Sequence, residues 1–168
     1  MRKLSTIFLA MLVTGHSYAA GNTDKLYLGG GLGFNSISGI DFSDGLGFQF
    51  FGGYDLPVKM GKGKLSVEVG YMDSGNMEVG SVTIPVIPPQ KITVEGKAKG
   101  LWGNAVFSLP LQEKMSLIAR AGLDIGDDDG IMLGAGLGFK LSNKMEVRGE
   151  YVIRDTIDSL QVNLVMRM

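Results

Sequence analysis

The chain has 168 residues, with 16 Lys and Arg against 17 Asp and Glu and no cysteine. That length suits one domain, the missing cysteines exclude a disulfide scaffold, and the near-balanced charge excludes a basic nucleic-acid-binding surface. Glycine is the unusual component, at 26 residues. It sits among Leu and Phe without collagen periodicity, so it marks neither a fibre nor a low-complexity linker.

The first element is a leader. Met1-Arg2-Lys3 precedes an apolar run over residues 7–13, and Ser17-Tyr18-Ala19 follows. A charged start, a short apolar core and a small-x-small site form the order of a secretory signal peptide. The run falls far short of the ~20 apolar residues that a spanning helix needs. Cleavage after Ala19 is expected, because Tyr18 is too large for the small-residue position that cleavage after Ala20 would require. Ala20 in place of a cysteine argues against a lipid-anchored form. Losing Arg2 and Lys3 with the leader leaves 14 basic against 17 acidic residues.

Eight segments then alternate with period two, the signature of strands with one apolar and one polar face. In residues 26–35, Leu26, Leu28, Leu32 and Phe34 oppose Gly29, Gly31 and Gly33. In 45–56, Leu46, Phe48, Phe50, Tyr54 and Leu56 share a face, and Phe51 places an aromatic on the other. In 65–72, Leu65, Val67, Val69 and Tyr71 oppose Ser66, Glu68 and Gly70. In 100–109, Leu101, Ala105, Phe107 and Leu109 oppose Asn104 and Ser108.

The fifth segment, 115–126, sets Met115, Leu117, Ala119, Ala121, Leu123 and Ile125 against Ser116, Arg120 and Asp124. In 131–141, Ile131, Leu133, Ala135, Leu137, Phe139 and Leu141 oppose Gly134, Gly136, Gly138 and Lys140. In 145–154, Glu146, Arg148, Glu150 and Arg154 share a face. The last, 160–168, puts Leu160, Val162, Leu164, Met166 and Met168 on one parity and Gln161, Asn163 and Arg167 on the other, with Val165 as the exception. No segment after the leader is apolar for long enough to span as a helix.

The connections fall into two sets. Residues 57–63, 110–114 and 142–144 read as short turns rich in lysine, whereas 36–44, 73–99, 127–130 and 156–159 are the longer set, rich in acidic residues. Short turns at one end and longer loops at the other are the layout of an outer-membrane barrel. Within the long connection, Val79, Val82, Ile84 and Val86 are placed to face Ile92 and Val94 in a projecting hairpin, with Pro88-Pro89 at its turn. Phe34, Phe48 and Tyr71 fall toward one rim and Tyr54, Phe107 and Phe139 toward the other, as two aromatic girdles would.

These features together resemble the small eight-stranded outer-membrane barrels of the OmpA-like and OmpX/Ail-like porin-family group of Gram-negative bacteria. The resemblance covers the whole mature chain and includes Phe48-Gln49-Phe50-Phe51-Gly52-Gly53-Tyr54. It implies an all-β, eight-stranded antiparallel up-and-down transmembrane barrel over residues 20–168, behind a signal peptide over 1–19. Both termini would be periplasmic, with no peptidoglycan-binding domain following the barrel. In that group the last strand is the recognition signal for the outer-membrane assembly machinery, so Leu164, Met166 and Met168 are its candidates here. Met168 stands where an aromatic is usual. The other expected partners are outer-membrane lipid and lipopolysaccharide, with an external ligand unidentified and no nucleic acid.

The polar parity supplies the barrel filling: Gln49, Glu68, Asn104, Arg120, Asp124, Glu146, Arg148, Glu150, Arg154, Gln161, Asn163 and Arg167. Enclosed charges must be paired or hydrated. Glu68, Arg120, Arg148 and Glu150 are expected in one structural network. A gated ion path through the same charges is the alternative, and the narrowness of eight strands favours the structural core. Inward glycines offer either a small ligand cavity or room for Trp102, Phe51 and arginine side chains, and the second is preferred.

Enzyme chemistry is not expected. The only histidine, His16, lies in the leader, so the mature chain has neither His nor Cys for a histidine base or a zinc site. Asp127-Asp128-Asp129-Gly130 lacks the spacing of a calcium loop and reads as a solvated turn. No cofactor is expected. The roles that remain are envelope integrity or surface contact through the outer loops, a narrow pore for ions or small solutes, and a soluble lipocalin-like ligand-binding barrel.

Overall fold

Period-two alternation has one consequence when eight strands pair in a ring: one parity points inward and the other outward. The computed structural model describes residues 23–37, 45–84 and 90–168. The expected signal peptide lies outside these residues, as do Asp41, Asp44, Val86 and Pro88-Pro89.

Ten strands occur among the described residues: β1 (Leu26–Ile37), β2 (Gly45–Met60), β3 (Gly63–Asp73), β4 (Met77–Ile84), β5 (Gln90–Gly96), β6 (Lys99–Pro110), β7 (Met115–Gly126), β8 (Gly130–Lys140), β9 (Met145–Ile153) and β10 (Ile157–Arg167). Eight of them close a barrel in the order β1-β10-β9-β8-β7-β6-β3-β2, and β4 and β5 form a separate two-stranded sheet. All pairings are antiparallel. The ring closes where β1 meets β10, with Tyr27 opposite Arg167 and Ile37 opposite Ile157. The Met168 amide adds a bond to the Leu26 carbonyl at 3.1 Å.

The outer face is apolar. Leu32 is 56% exposed, Phe34 62% and Ile131 68%. This arrangement is the reverse of a soluble ligand-binding barrel, whose apolar face lines its cavity. Here the exposed face requires a lipid solvent, and closure leaves no unpaired strand edge within it.

Two expectations need correction. Residues 57–63 are not one turn. Strand β2 continues through Pro57 to Met60, with an irregular register between Asp55 and Lys59, and Met60 then pairs with Gly63. Proline cannot donate to a ladder, so the irregularity falls where it sits. The turn shrinks to Gly61 and Lys62, and Gly61 takes φ 64°, a left-handed conformation that glycine adopts without strain.

The acidic turn is likewise not simply solvated. Asp128 is buried, and its carboxylate accepts bonds from the Thr156 amide at 2.9 Å and the Ile157 amide at 3.2 Å. The β7–β8 connection thus pins the β9–β10 connection.

The β4–β5 hairpin is inserted between the paired ends of β3 and β6, where Asp73 faces Lys99. Its base is seated in the barrel mouth. Met77, Ala98 and Ile157 form a small buried cluster with Ile37 packed against it. Ser74 and Ala98 bond reciprocally through their backbones and the Ser74 hydroxyl, at 2.8 and 2.9 Å.

Candidate functional site

The polar parity of the strands meets inside the barrel. Gln49, Asn104, Asp124, Glu146, Arg154, Gln161 and Asn163 are buried there, along with the four expected network residues. Glu68 is 1% exposed, Arg120 4%, Arg148 3% and Glu150 1%.

These four form one cluster. Arg120 lies between two carboxylates, with Nη2 2.6 Å from Glu150 Oε2 and 3.4 Å from Glu68 Oε2. Its Nε also donates to Glu150 at 2.8 Å. Arg148 donates Nη1 to Glu68 Oε1 at 2.7 Å and Nε to Glu146 Oε1 at 2.9 Å. The Tyr27 hydroxyl donates to the same Glu68 oxygen at 2.8 Å. Three carboxylates and two guanidinium groups thereby share one enclosed volume.

Two further pairs lie above and below it. Arg154 Nε donates to Asp124 Oδ2 at 2.8 Å, and its Nη1 donates to the Ser159 hydroxyl at 2.7 Å. Toward the turn end, Arg167 is paired with Asp55, which also accepts from the Ser66 hydroxyl at 2.8 Å.

The inward glycines explain how these partners meet. Arg120 on β7 and Glu150 on β9 are not on neighbouring strands, because β8 runs between them. Gly134 lies opposite Arg120 and Gly136 opposite Glu150. The side chains cross above those positions, and an added Cβ would fall 2.8 Å from Arg120 Cγ and 2.7 Å from Glu150 Cγ. Strand β1 is crossed in the same way. Gln49 of β2 donates to Gln161 and Asn163 of β10, each at 2.7 Å, over Gly31 and Gly33.

Large rings use the same device. Tyr27 lies opposite Gly53, Phe51 opposite Gly29 and Trp102 opposite Gly70. An added Cβ would come within 2.2, 2.3 and 2.6 Å of those rings respectively. The glycines therefore hold side chains from across the strand pair, and the space they leave is filled. Phe51 and Trp102 approach to 5.5 Å between centroids, and the Arg120 guanidinium stands 5.6 Å from the Trp102 ring.

Phe51 and Trp102 pack inside as the sequence suggested, but reading the rest of the interior as polar missed their apolar neighbours. Tyr27, Phe51, Met72, Trp102, Met132, Val152 and Val165 form a buried apolar cluster inside the barrel. Strict parity would have found Tyr27, because it shares the face of Gly29 and Gly31. It also turns Val165 from an exception into an inward core residue.

Of the expected assembly signal, Leu164, Met166 and Met168 are all exposed on the outer face. Among the described residues there is no group of three or more acidic or histidine side chains able to hold a metal ion. Two small open clefts, of about 10 and 20 Å³, lie at the mouths, one lined by Asn35, Gln49 and Gln161 and the other by Lys140, Lys144 and Glu146.

The barrel superposes on the outer-membrane protein Ail of Yersinia pestis in a phospholipid nanodisc, with a TM-score of 0.57 and 13% identity over 86% of this chain and 99% of that one. The crystal structure of the same protein gives a TM-score of 0.51 at 13% identity, over 86% and 97% of the two chains. A de novo designed transmembrane β-barrel gives 0.55 at 14% identity, over 86% and 96%. At such identities these matches carry the fold and nothing finer. No protein of curated function matches the chain by sequence. The family model described as the outer membrane protein beta-barrel domain matches residues 5–165, so the chain belongs to that family and is an outer-membrane barrel.

Proposed function

We propose that this is a non-enzymatic barrel with a filled, non-conducting interior. It contributes to the integrity of the envelope and presents its outer loops for surface contact. The observation that carries this reading is the Arg120 guanidinium held between Glu68 and Glu150 across the centre of the lumen. Conduction needs a continuous water column, and the lumen is occupied by the Glu68–Arg120–Glu150 cluster and the Phe51–Trp102 pair. The mature chain's lack of His and Cys supports a role without catalysis.

In this reading residues 1–19 direct export, and residues 20–168 form the barrel. The termini and short turns face the periplasm, and the β4–β5 hairpin projects outside. Membrane lipid and lipopolysaccharide surround the apolar face. Leu164, Met166 and Met168 are presented to the outer-membrane assembly machinery. Ail is the attachment invasion locus protein of Yersinia pestis, which supports contact through the outer loops as the surface role.

Planar-bilayer recording tests the central part. The folded protein is expected to give no reproducible conductance steps. Regular steps would favour the narrow-pore reading through the same charges. For the loops, deletion of residues 80–93 is expected to reduce binding to host cells or matrix, and unchanged binding would remove the hairpin from that role.

A further inference from the structure

Charge is distributed along the barrel axis. Where β3, β7, β8 and β9 meet the turn end, a lysine directly adjoins the last outward apolar residue. The pairs are Lys64 beside Leu65, Lys114 beside Met115, Lys140 beside Phe139 and Lys144 beside Met145. All four lysines are exposed. None lies in an ion pair among the described residues, where seven such pairs occur.

Their positions are set by the strands. Lys64 and Lys140 fall on the inward parity of their strands, Lys140 opposite Glu146, so the exposed lysines ring the open turn-end mouth, and their long side chains carry the ammonium groups over the rim toward headgroup level. The four lysines come from the three short turns spaced around the ring. Lys62, also exposed, adds to the first. The exposed acids at this end are Asp24 and Glu113, because Asp55 is occupied by Arg167. The loop end has the opposite balance, with Glu78, Glu95, Asp127, Asp129 and Asp155 exposed against Lys97 and Lys99, and Lys97 is paired with Asp73.

We propose that the turn end is a binding surface for anionic phospholipid headgroups, which its lysine ring selects from the leaflet it faces. The phosphate of a net-negative headgroup meets an unpaired ammonium while its acyl chains lie against Leu65, Met115 and Phe139. Basic residues at a membrane surface attract anionic lipid in proportion to their number, and salt screens the effect. This surface rests on the reading of the chain as a membrane-spanning barrel.

The test uses the mature barrel folded into phosphatidylcholine vesicles containing spin-labelled phosphatidylglycerol or spin-labelled phosphatidylcholine. The motion-restricted label measures selection at the protein boundary. The wild type is expected to prefer phosphatidylglycerol several-fold at low salt. The combined Lys64→Gln, Lys114→Gln, Lys140→Gln and Lys144→Gln variant is expected to lose that preference. Lys97→Gln with Lys99→Gln, at the loop end, is expected to retain it. Inorganic phosphate and chloride at equal ionic strength are expected to compete equally.

Equal association of both lipids with the wild type would overturn the proposal, as would a preference that survives in the four-lysine variant. Selective displacement by inorganic phosphate would assign the surface to a free anion instead. Heat-dependent electrophoretic mobility is recorded on every sample. Its absence in the wild type would contradict the membrane-barrel reading itself, separately from the lipid preference.

Discussion

Tyr27 stands directly across the β1–β2 pair from Gly53, and an added Cβ at that glycine would fall 2.2 Å from the ring. The ring is held on both sides. The Arg148 and Arg167 guanidinium groups lie 5.4 and 5.2 Å from its centroid, and its hydroxyl reaches Glu68. First strand, last strand and β3 are thus tied at the closure of the barrel.

Removing the hydroxyl while keeping the ring isolates the hydrogen bond. Tyr27→Phe is expected to cost about 1.5–3 kcal/mol, the range for a bond to a charged acceptor. Tyr27→Ala, which also empties the space over Gly53, is expected to cost about 3–5 kcal/mol. Urea unfolding followed by the fluorescence of Trp102, the one tryptophan, measures both. Equal losses would show that the ring's packing contributes little.

The crossing of β8 gives a second prediction. Gly136→Ala is expected to be strongly destabilising, because its Cβ would lie 2.1 Å from the Gly149 carbonyl, a backbone atom that cannot rotate away. Gly149→Ala is the control. Its Cβ meets nothing within 4 Å, so a change within ±0.5 kcal/mol is expected. Comparing the two unfolding midpoints checks this.

Breaking the central cluster is expected to cost more than removing it. Arg120→Met alone leaves Glu150 and Glu68 short of a cation, with a loss of about 3–5 kcal/mol. Combining Arg120→Met with Glu150→Leu is expected to recover part of that loss, a coupling that a double-mutant cycle reads directly. Strict additivity would place the two side chains outside one network.

Much of this arrangement was legible in the sequence. The eight strands showed because lipid outside and a packed lumen inside force strict alternation, as in Leu117, Ile118, Ala119 and Arg120 of β7. Parity alone placed Glu68, Arg120, Arg148 and Glu150 on the inner face. Their partners did not show, because Arg120 meets Glu150 across an intervening strand, which register and the glycines of β8 decide. Pro57 concealed the end of β2, since a proline reads as a turn unless a bulge accommodates it. Asp128 concealed its role because its bonds go to amides 28 and 29 residues away.

Those two bonds give a further prediction. Asp128→Ala is expected to cost about 1–3 kcal/mol, since it leaves the buried Ile157 amide and the neighbouring Thr156 amide without their acceptor. Hydrogen exchange is expected to speed up at residues 156 and 157, with the strand centres unchanged. Calcium or chelator is expected to leave the wild-type exchange pattern as it is. A calcium-dependent slowing at residues 127–130 would restore the metal reading of that turn.

The outward end of β10 carries the assembly prediction. Met168→Phe is expected to preserve or raise the folded yield in cells, and Met168→Asp to lower it. Folded yield is read by surface-membrane fractionation. An unchanged yield for the Asp variant would remove Met168 from the signal.

The most direct measurement of the central claim, a closed barrel with its apolar face to lipid and its charges inside, is electrophoretic mobility of the membrane-extracted protein with and without boiling. A barrel closed by the β1–β10 pairing and held by the Glu68 cluster resists detergent, so the unboiled protein is predicted to migrate apart from the boiled form. Identical mobility in both samples, with the protein recovered in the soluble fraction, would contradict the account.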